Sequence, residues 1–217
     1  MTLIFQEATR WATVALALIS NDGLLSTDGN GYRKPLRDML VHDGFTVDMV
    51  GSRQSGNMID NDNEGWSGYR IAEVQGKAEL SVPGLQPNVF TINAGTNDCV
   101  QDYHVDTAGE RMAEMIEYLW TASPGSTVIL STLLINLNED TEKRVQKLNR
   151  QYRRLAWRFA AQGKRIVLAE MHSARGPQRS DMADETHPDD GGYLKMAKIW
   201  HSSIRIAQYR GFLQPPN

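Results

Sequence analysis

Five short apolar runs, at residues 12–19, 45–50, 89–92, 127–131 and 165–169, alternate with longer segments of helical periodicity at 32–42, 107–121, 141–162 and 191–209. This alternation constrains the chain more than any other feature. Each apolar run has the length of a buried strand and is too short for a core helix. A strand followed by a helix, repeated, brings successive strands side by side in the same direction, so the fold class is α/β with a mostly parallel sheet. Gly44, Gly125 and Gly163 stand where helices hand over to the next strand, and Ser123-Pro124-Gly125 is a strong stop signal. One long stretch, residues 51–68, is rich in Gly, Asn, Asp and Ser, and a loop of that length in a compact domain is more often functional than idle. Another probable helix follows it. Ligands of open parallel sheets bind beyond the carboxyl ends of the strands, so chemistry is sought just after each run.

The 217 residues suit one domain over 1–217, with an atypical segment at 1–22. Hydrophobic residues at 41% and charged residues at 23% are ordinary for a packed core. A net charge of -3 supplies no field that would gather phosphates, so neither nucleic acid nor an anionic membrane is an expected partner. The basic residues between Lys143 and Arg158 are interleaved with Val145, Leu148, Tyr152 and Leu155 at helical spacing, which reads as a solvated helix face rather than a binding stripe. Cys99 is the single cysteine, so no intrachain disulfide forms, and a catalytic thiol is the alternative role for it. The apolar run 11–19 is shorter than the roughly 20 residues a membrane span needs. It reads as a first buried strand or as the apolar part of a weak secretory signal, with Ala15-Leu16-Ala17 as a small-residue cleavage site.

Three later segments carry unusual chemistry. Asn93-Ala94-Gly95-Thr96-Asn97-Asp98 follows a strand; alone, it is equally suited to turn and cap roles. Asp184 stands three residues before His187, at the entry to the last helix. A carboxylate there can hydrogen-bond the imidazole, fix its tautomer and support general-base work. The competing reading makes His187 a turn residue and Asp189 or Asp190 a helix cap. In the long loop, Trp66-Ser67-Gly68-Tyr69 precedes a helix, and Gly68 either meets a turn's geometric demand or exposes a backbone N–H to an oxyanion. His42, His104, His172 and His201 show no zinc spacing, and no metal is expected.

In this order the segments resemble the conserved blocks of the SGNH hydrolases, the GDSL-type esterases and lipases, and the resemblance runs from about Gly23 to the last helix. It implies a flavodoxin-like three-layer α/β/α sandwich around a mostly parallel five-stranded sheet. The family's Gly-x-Asn-Asp block is matched by Gly95-Thr96-Asn97-Asp98, which makes Asn97 an oxyanion donor and places Asp98 on the substrate side. Its Asp-x-x-His block is matched by Asp184 and His187, followed by Pro188, and its loop glycine by Gly68. The segments Ser26 through Arg33 and Val47 through Ser52 are similar to those of fungal and bacterial members related to carbohydrate acetyl esterases.

The first block departs from the family. Where Gly-Asp-Ser or Gly-Ala-Ser is expected, the chain reads Ala17-Leu18-Ile19-Ser20-Asn21-Asp22-Gly23. An ungapped carry-over puts Ile19 at the nucleophile position, and a shift of one residue puts Ser20 there. Three readings follow: a working Ser20, a pseudoenzyme that binds carbohydrate without cleaving it, or residues before Gly23 that are not the natural start. In the first, His187 deprotonates Ser20, Asp184 orients the imidazole, and Gly68 and Asn97 hold the oxyanion. The implied substrate is a small-molecule or carbohydrate ester with a short acyl group, acetyl foremost, and Trp66 and Tyr69 are candidates for an aromatic platform. No cofactor is implied. A nucleotide-binding sheet is the rival from another class, but no Gly-rich phosphate signature follows any strand. Oligomeric state stays open, as does the compartment: secreted by resemblance, or cytoplasmic.

Overall fold

The computed structural model describes residues 13–20, by their backbone, and residues 26–215. In chain order the elements are β1 (Thr13–Ser20), α1 (Arg33–His42), β2 (Thr46–Val50), β3 (Arg53–Gln54), β4 (Asp62–Asn63), α2 (Ile71–Leu85), β5 (Val89–Asn93), α3 (Thr96–Val100), α4 (Ala108–Ala122), β6 (Thr127–Ser131), α5 (Glu139–Ala161), β7 (Ile166–Ala169) and α6 (Asp190–Tyr209). Five parallel strands pair in the order β2-β1-β5-β6-β7, and β3 with β4 makes a separate antiparallel pair. The chain moves from β1 out to β2, then crosses back over β1 to begin β5. The carboxyl ends of β1 and β5 therefore flank the switch point, where a sheet of this order leaves a crevice.

Helices cover both faces. Every residue of β5 and β6 is buried, as expected for strands enclosed on two sides. Alternate side chains feed two cores: Phe90, Ile92, Val128 and Leu130 join α2, α4 and α5 through Val74, Ile116 and Leu148. Val89, Ile129 and Val167 join α1 and α6 through Leu36, Leu40, Trp200 and Ile204 on the other side. The period of two in the strands sorts residues to opposite layers. Helix α2 shows its buried stripe at Ile71, Val74, Ala78 and Val82, and ends beyond Pro83 with Gln86 in the left-handed region. No described helix is long and apolar enough to cross a membrane.

The long loop that follows β2 is ordered by the segment before α1. Arg33 is completely buried, and its guanidinium donates to the carbonyls of Gly29, Ser55 and Asn61 and to the Ser55 hydroxyl at 2.9–3.1 Å. Asn30, also buried, accepts from the N–H groups of Asn57 and Met58 and donates to Asn57 Oδ1. Two polar side chains thus replace the backbone ladder that an irregular segment lacks. Thr27 donates through its N–H and hydroxyl to Asp190 at 3.1 and 2.8 Å, tying this segment to the start of α6.

Candidate active site

The last residue of β5, Asn93, stands at the centre of the crevice. Two hollows meet there: one is lined by Trp66, Tyr69, Gly95 and Asn97, the other by Leu134, Thr186, His187 and Tyr193, and both include Asn93 and Thr96. Asn93 donates to Ser131 Oγ at 2.6 Å, so its side chain is fixed against β6. The sequence marks Asn93 and Thr96 as parts of a polar segment, with no role for either. Their position at a strand's carboxyl end was the signal available, and the neighbouring Gly-x-Asn-Asp pattern overshadowed it.

Asp184 organises the histidine loop. Its Oδ1 accepts the N–H groups of Thr186 and His187 at 2.7 and 2.6 Å, and its Oδ2 meets His187 Nδ1 at 2.9 Å. One carboxylate therefore closes the turn and orients the ring. Burial acts to raise the Asp184 carboxyl, but the bonds from the His187 ring and from the two N–H groups outweigh it and hold the group below the usual carboxylate value. The opposite ring nitrogen, His187 Nε2, is buried and has no hydrogen-bond partner among the described residues. With the ring hydrogen on Nδ1, the lone pair of Nε2 has no competing donor among the described residues. The helix-cap reading of this segment holds alongside: Asp189 accepts Gly192 N–H at 2.8 Å and caps α6. A Cβ on Gly192 would lie 2.6 Å from both the Asp181 carbonyl and Pro188, so only glycine lets the helix start this close to the histidine loop. The loop after β6 clamps it further, with Leu137 N–H on the Glu185 carbonyl at 2.9 Å and Asn136 Nδ2 on Thr186 Oγ1 at 3.2 Å.

Gly95, Asn97 and Asp98 build the other wall. Gly95 has φ of 112°, and a Cβ there would meet the Tyr152 hydroxyl at 2.7 Å, so the turn into α3 accepts no side chain. That hydroxyl donates to the Ala94 carbonyl at 2.8 Å, beneath the strand end. Asn97 is half-buried and spends one amide hydrogen on the Tyr69 carbonyl at 3.0 Å, which leaves the second hydrogen for another acceptor. The same bond holds the Gly68 turn against α3. Gly68 itself is exposed at the lip with φ of 81°, beside the hollow rather than in its wall.

Asp98 corrects an expectation. It is completely buried; one carboxylate oxygen accepts Ile71 N–H at 3.0 Å and the other pairs with Arg111 at 2.8 Å. It anchors the start of α2 to α3 and α4 and presents nothing to a substrate. Cys99 is excluded as a nucleophile as well: burial, with the Asp98 charge beside it, pushes its thiol up to about 12.

Ser20 closes β1 and pairs in register with Asn93. Its side chain lies outside the described residues, as do residues 1–12 and 21–25, where most of the atypical N-terminal segment falls. Trp66 and Tyr69 stack at 5.4 Å between ring centroids, tilted by 35°. Among the described residues, no cluster of three or more His, Cys, Asp or Glu is arranged to hold a metal ion.

Residues 26–195 match the sequence model of the GDSL-like lipase/acylhydrolase family. A multidomain esterase of Ruminococcus flavefaciens is 27% identical over 216 residues, a match covering 86% of this chain and 27% of that protein. The chain therefore spans about a quarter of the length of that curated relative. The structure of a family 3 carbohydrate esterase from Clostridium thermocellum superposes with a TM-score of 0.81 at 22% identity, over 93% of this chain and 100% of the other. One from Talaromyces cellulolyticus, also a family 3 carbohydrate esterase, gives 0.79 at 19% identity, over 91% and 99%. At these identities the likeness speaks for the fold.

Proposed function

Because the chain belongs to the GDSL-like lipase/acylhydrolase family, we propose that it is a carboxylic ester hydrolase whose nucleophile is Ser20 and whose base is His187. The observation that carries this reading is the buried His187 Nε2, unpartnered among the described residues, opposite an Nδ1 held by Asp184 and beside the strand end that Ser20 shares with Asn93. His187 Nε2 takes the Ser20 hydroxyl proton as Oγ attacks the ester carbonyl. The negative oxygen that develops is met by the second Asn97 amide hydrogen and by the Gly68 N–H. The histidine then returns its proton to the departing alkoxide, and water repeats the sequence on the acyl-enzyme. Asp184 keeps the proton of neutral His187 on Nδ1 and stabilises the imidazolium that forms in each half.

The acyl group in this reading is short, acetyl foremost, and the alcohol a carbohydrate. Similarity to family 3 carbohydrate esterases supports the alcohol class, and the sequence contains no long apolar lid segment suited to a long-chain lipid. Hydrolysis of a chromogenic acetate ester by the parent chain, by Ser20→Ala and by His187→Ala, compared at matched folding, tests the reading. Activity in the parent and loss in both variants is the expected result. An inactive parent would point instead to a fold that binds without cleaving.

A further inference from the structure

The wall of the crevice formed by Trp66 carries an unbalanced charge. Arg53 lies over the Trp66 ring at 4.6 Å from its centroid, and Lys77 approaches the same ring at 4.4 Å and Tyr69 at 5.9 Å. The two cations come from β3 and α2, separate elements that meet at this ring. Two other cations on neighbouring elements are neutralised: Arg70 pairs with Glu73, and Arg111 with the buried Asp98. Among the described residues, no carboxylate lies at ion-pair distance from Arg53 or Lys77. Glu64 is buried at the indole's edge, where it accepts the N–H groups of Ser52 and Trp66, so one negative charge stands against the two positive ones at this ring. An aromatic face attracts a cation without neutralising it, so both positive charges remain available to an anion arriving from solvent.

We propose that Arg53 and Lys77, held over Trp66, form a subsite for a carboxylate on the alcohol portion of the substrate, which makes acidic, uronate-bearing esters preferred over neutral ones. This rests on the ester-hydrolase reading and narrows its substrate class. Trp66 lines the small hollow that runs past Gly95 and Asn97 to Asn93, so an ester whose acyl group reaches the strand ends would extend its alcohol portion outward past the indole, toward the two cations on it. The chain's overall charge of -3 makes this local positive edge a departure from the rest of the surface.

The test compares kcat/KM for two acetylated methyl glycosides that differ only at C6, a glucuronate and a glucose. Two half-exposed charge pairs predict a preference of roughly five- to twenty-fold for the glucuronate at low ionic strength. It should fall to within about twofold near 0.5 M salt, where screening acts over about 4 Å. In the Arg53→Gln/Lys77→Met double variant the preference should fall to about unity. Equal use of both glycosides by the parent, or a preference that the double variant retains, overturns the proposal. The esterase reading fails only if the chromogenic acetate is also left intact; where neither glycoside is hydrolysed, calorimetric titration decides the subsite. Salt-sensitive binding of oligogalacturonate that the double variant lacks sustains it, and no binding of oligogalacturonate refutes it.

Discussion

In the proposed mechanism, replacing Asp184 by asparagine should separate catalysis from folding. The substituted side chain keeps its carbonyl oxygen where Oδ1 stands, so the N–H groups of Thr186 and His187, now 2.7 and 2.6 Å from that atom, retain their acceptor and the turn stays closed. What changes is the other end. An amide NH₂ replaces the oxygen 2.9 Å from Nδ1, so Nδ1 must accept, and the ring's own proton moves to Nε2. A protonated Nε2 cannot take the proton of Ser20, and the imidazolium loses its counter-charge. A loss of about 10³- to 10⁴-fold in kcat is expected, or roughly 4–5.5 kcal/mol of transition-state stabilisation. The assay is kcat on a chromogenic acetate, with circular dichroism melting as the folding control. The melts carry a second expectation. The folded Asp184 carboxyl titrates below its unfolded value, so its stabilisation is fully present above that value and is lost as pH falls through the folded one. Asp184→Asn should therefore differ from the parent more at neutral pH than in acid below the folded value, where the parent carboxyl is protonated too. Retention of kcat within tenfold by a well-folded Asp184→Asn would refute the assignment of His187 as the base.

Other consequences follow from the same geometry. Asn97→Ala should lower turnover on the order of 10²-fold or more, with KM for the acetate changing less, as steady-state kinetics will show. Arg111→Met strands the fully buried Asp98 carboxylate without its ion partner, and a loss of about 3–5 kcal/mol in urea unfolding is expected. Cys99, with its thiol pushed up to about 12, should resist alkylation at pH 8 in the folded chain and react promptly once the chain is denatured, a contrast that mass spectrometry reads directly.

Much of the architecture was legible because its signals are local. Strand runs such as 89–92 and 127–131 are continuous apolar stretches, and the stripe Val145, Leu148, Tyr152 and Leu155 repeats at helical spacing, so the α/β alternation and the parallel sheet could be read without contacts. Helix α2 was harder to delimit, since Gly76, Pro83 and Gly84 sit among its residues and its buried stripe is narrow. The small strands β3 and β4 gave no periodic signal, because two residues each cannot; buried Arg33 and Asn30, distant in sequence, impose their order. At the site, the Asp184 and His187 pairing was readable from a spacing of three. The burial of Asp98 was not, because an acidic residue in a functional block looks solvent-facing until its partner, Arg111, is placed 13 positions away on α4. Asn93, visible only as part of a polar segment, had no role of its own for the related reason that a strand's last residue gains its role from the neighbours across the sheet, Ser20 and Ser131.

The claim on which the account turns is that Ser20, despite the missing glycine and aspartate before it, is the attacking group. Treatment of the folded chain with a fluorophosphonate, followed by digestion and tandem mass spectrometry, addresses it most directly. One stoichiometric phosphonyl adduct on Ser20, abolished by His187→Ala, is the expected result. An adduct on a different serine, or an unlabelled chain that nonetheless hydrolyses acetate esters, would contradict it.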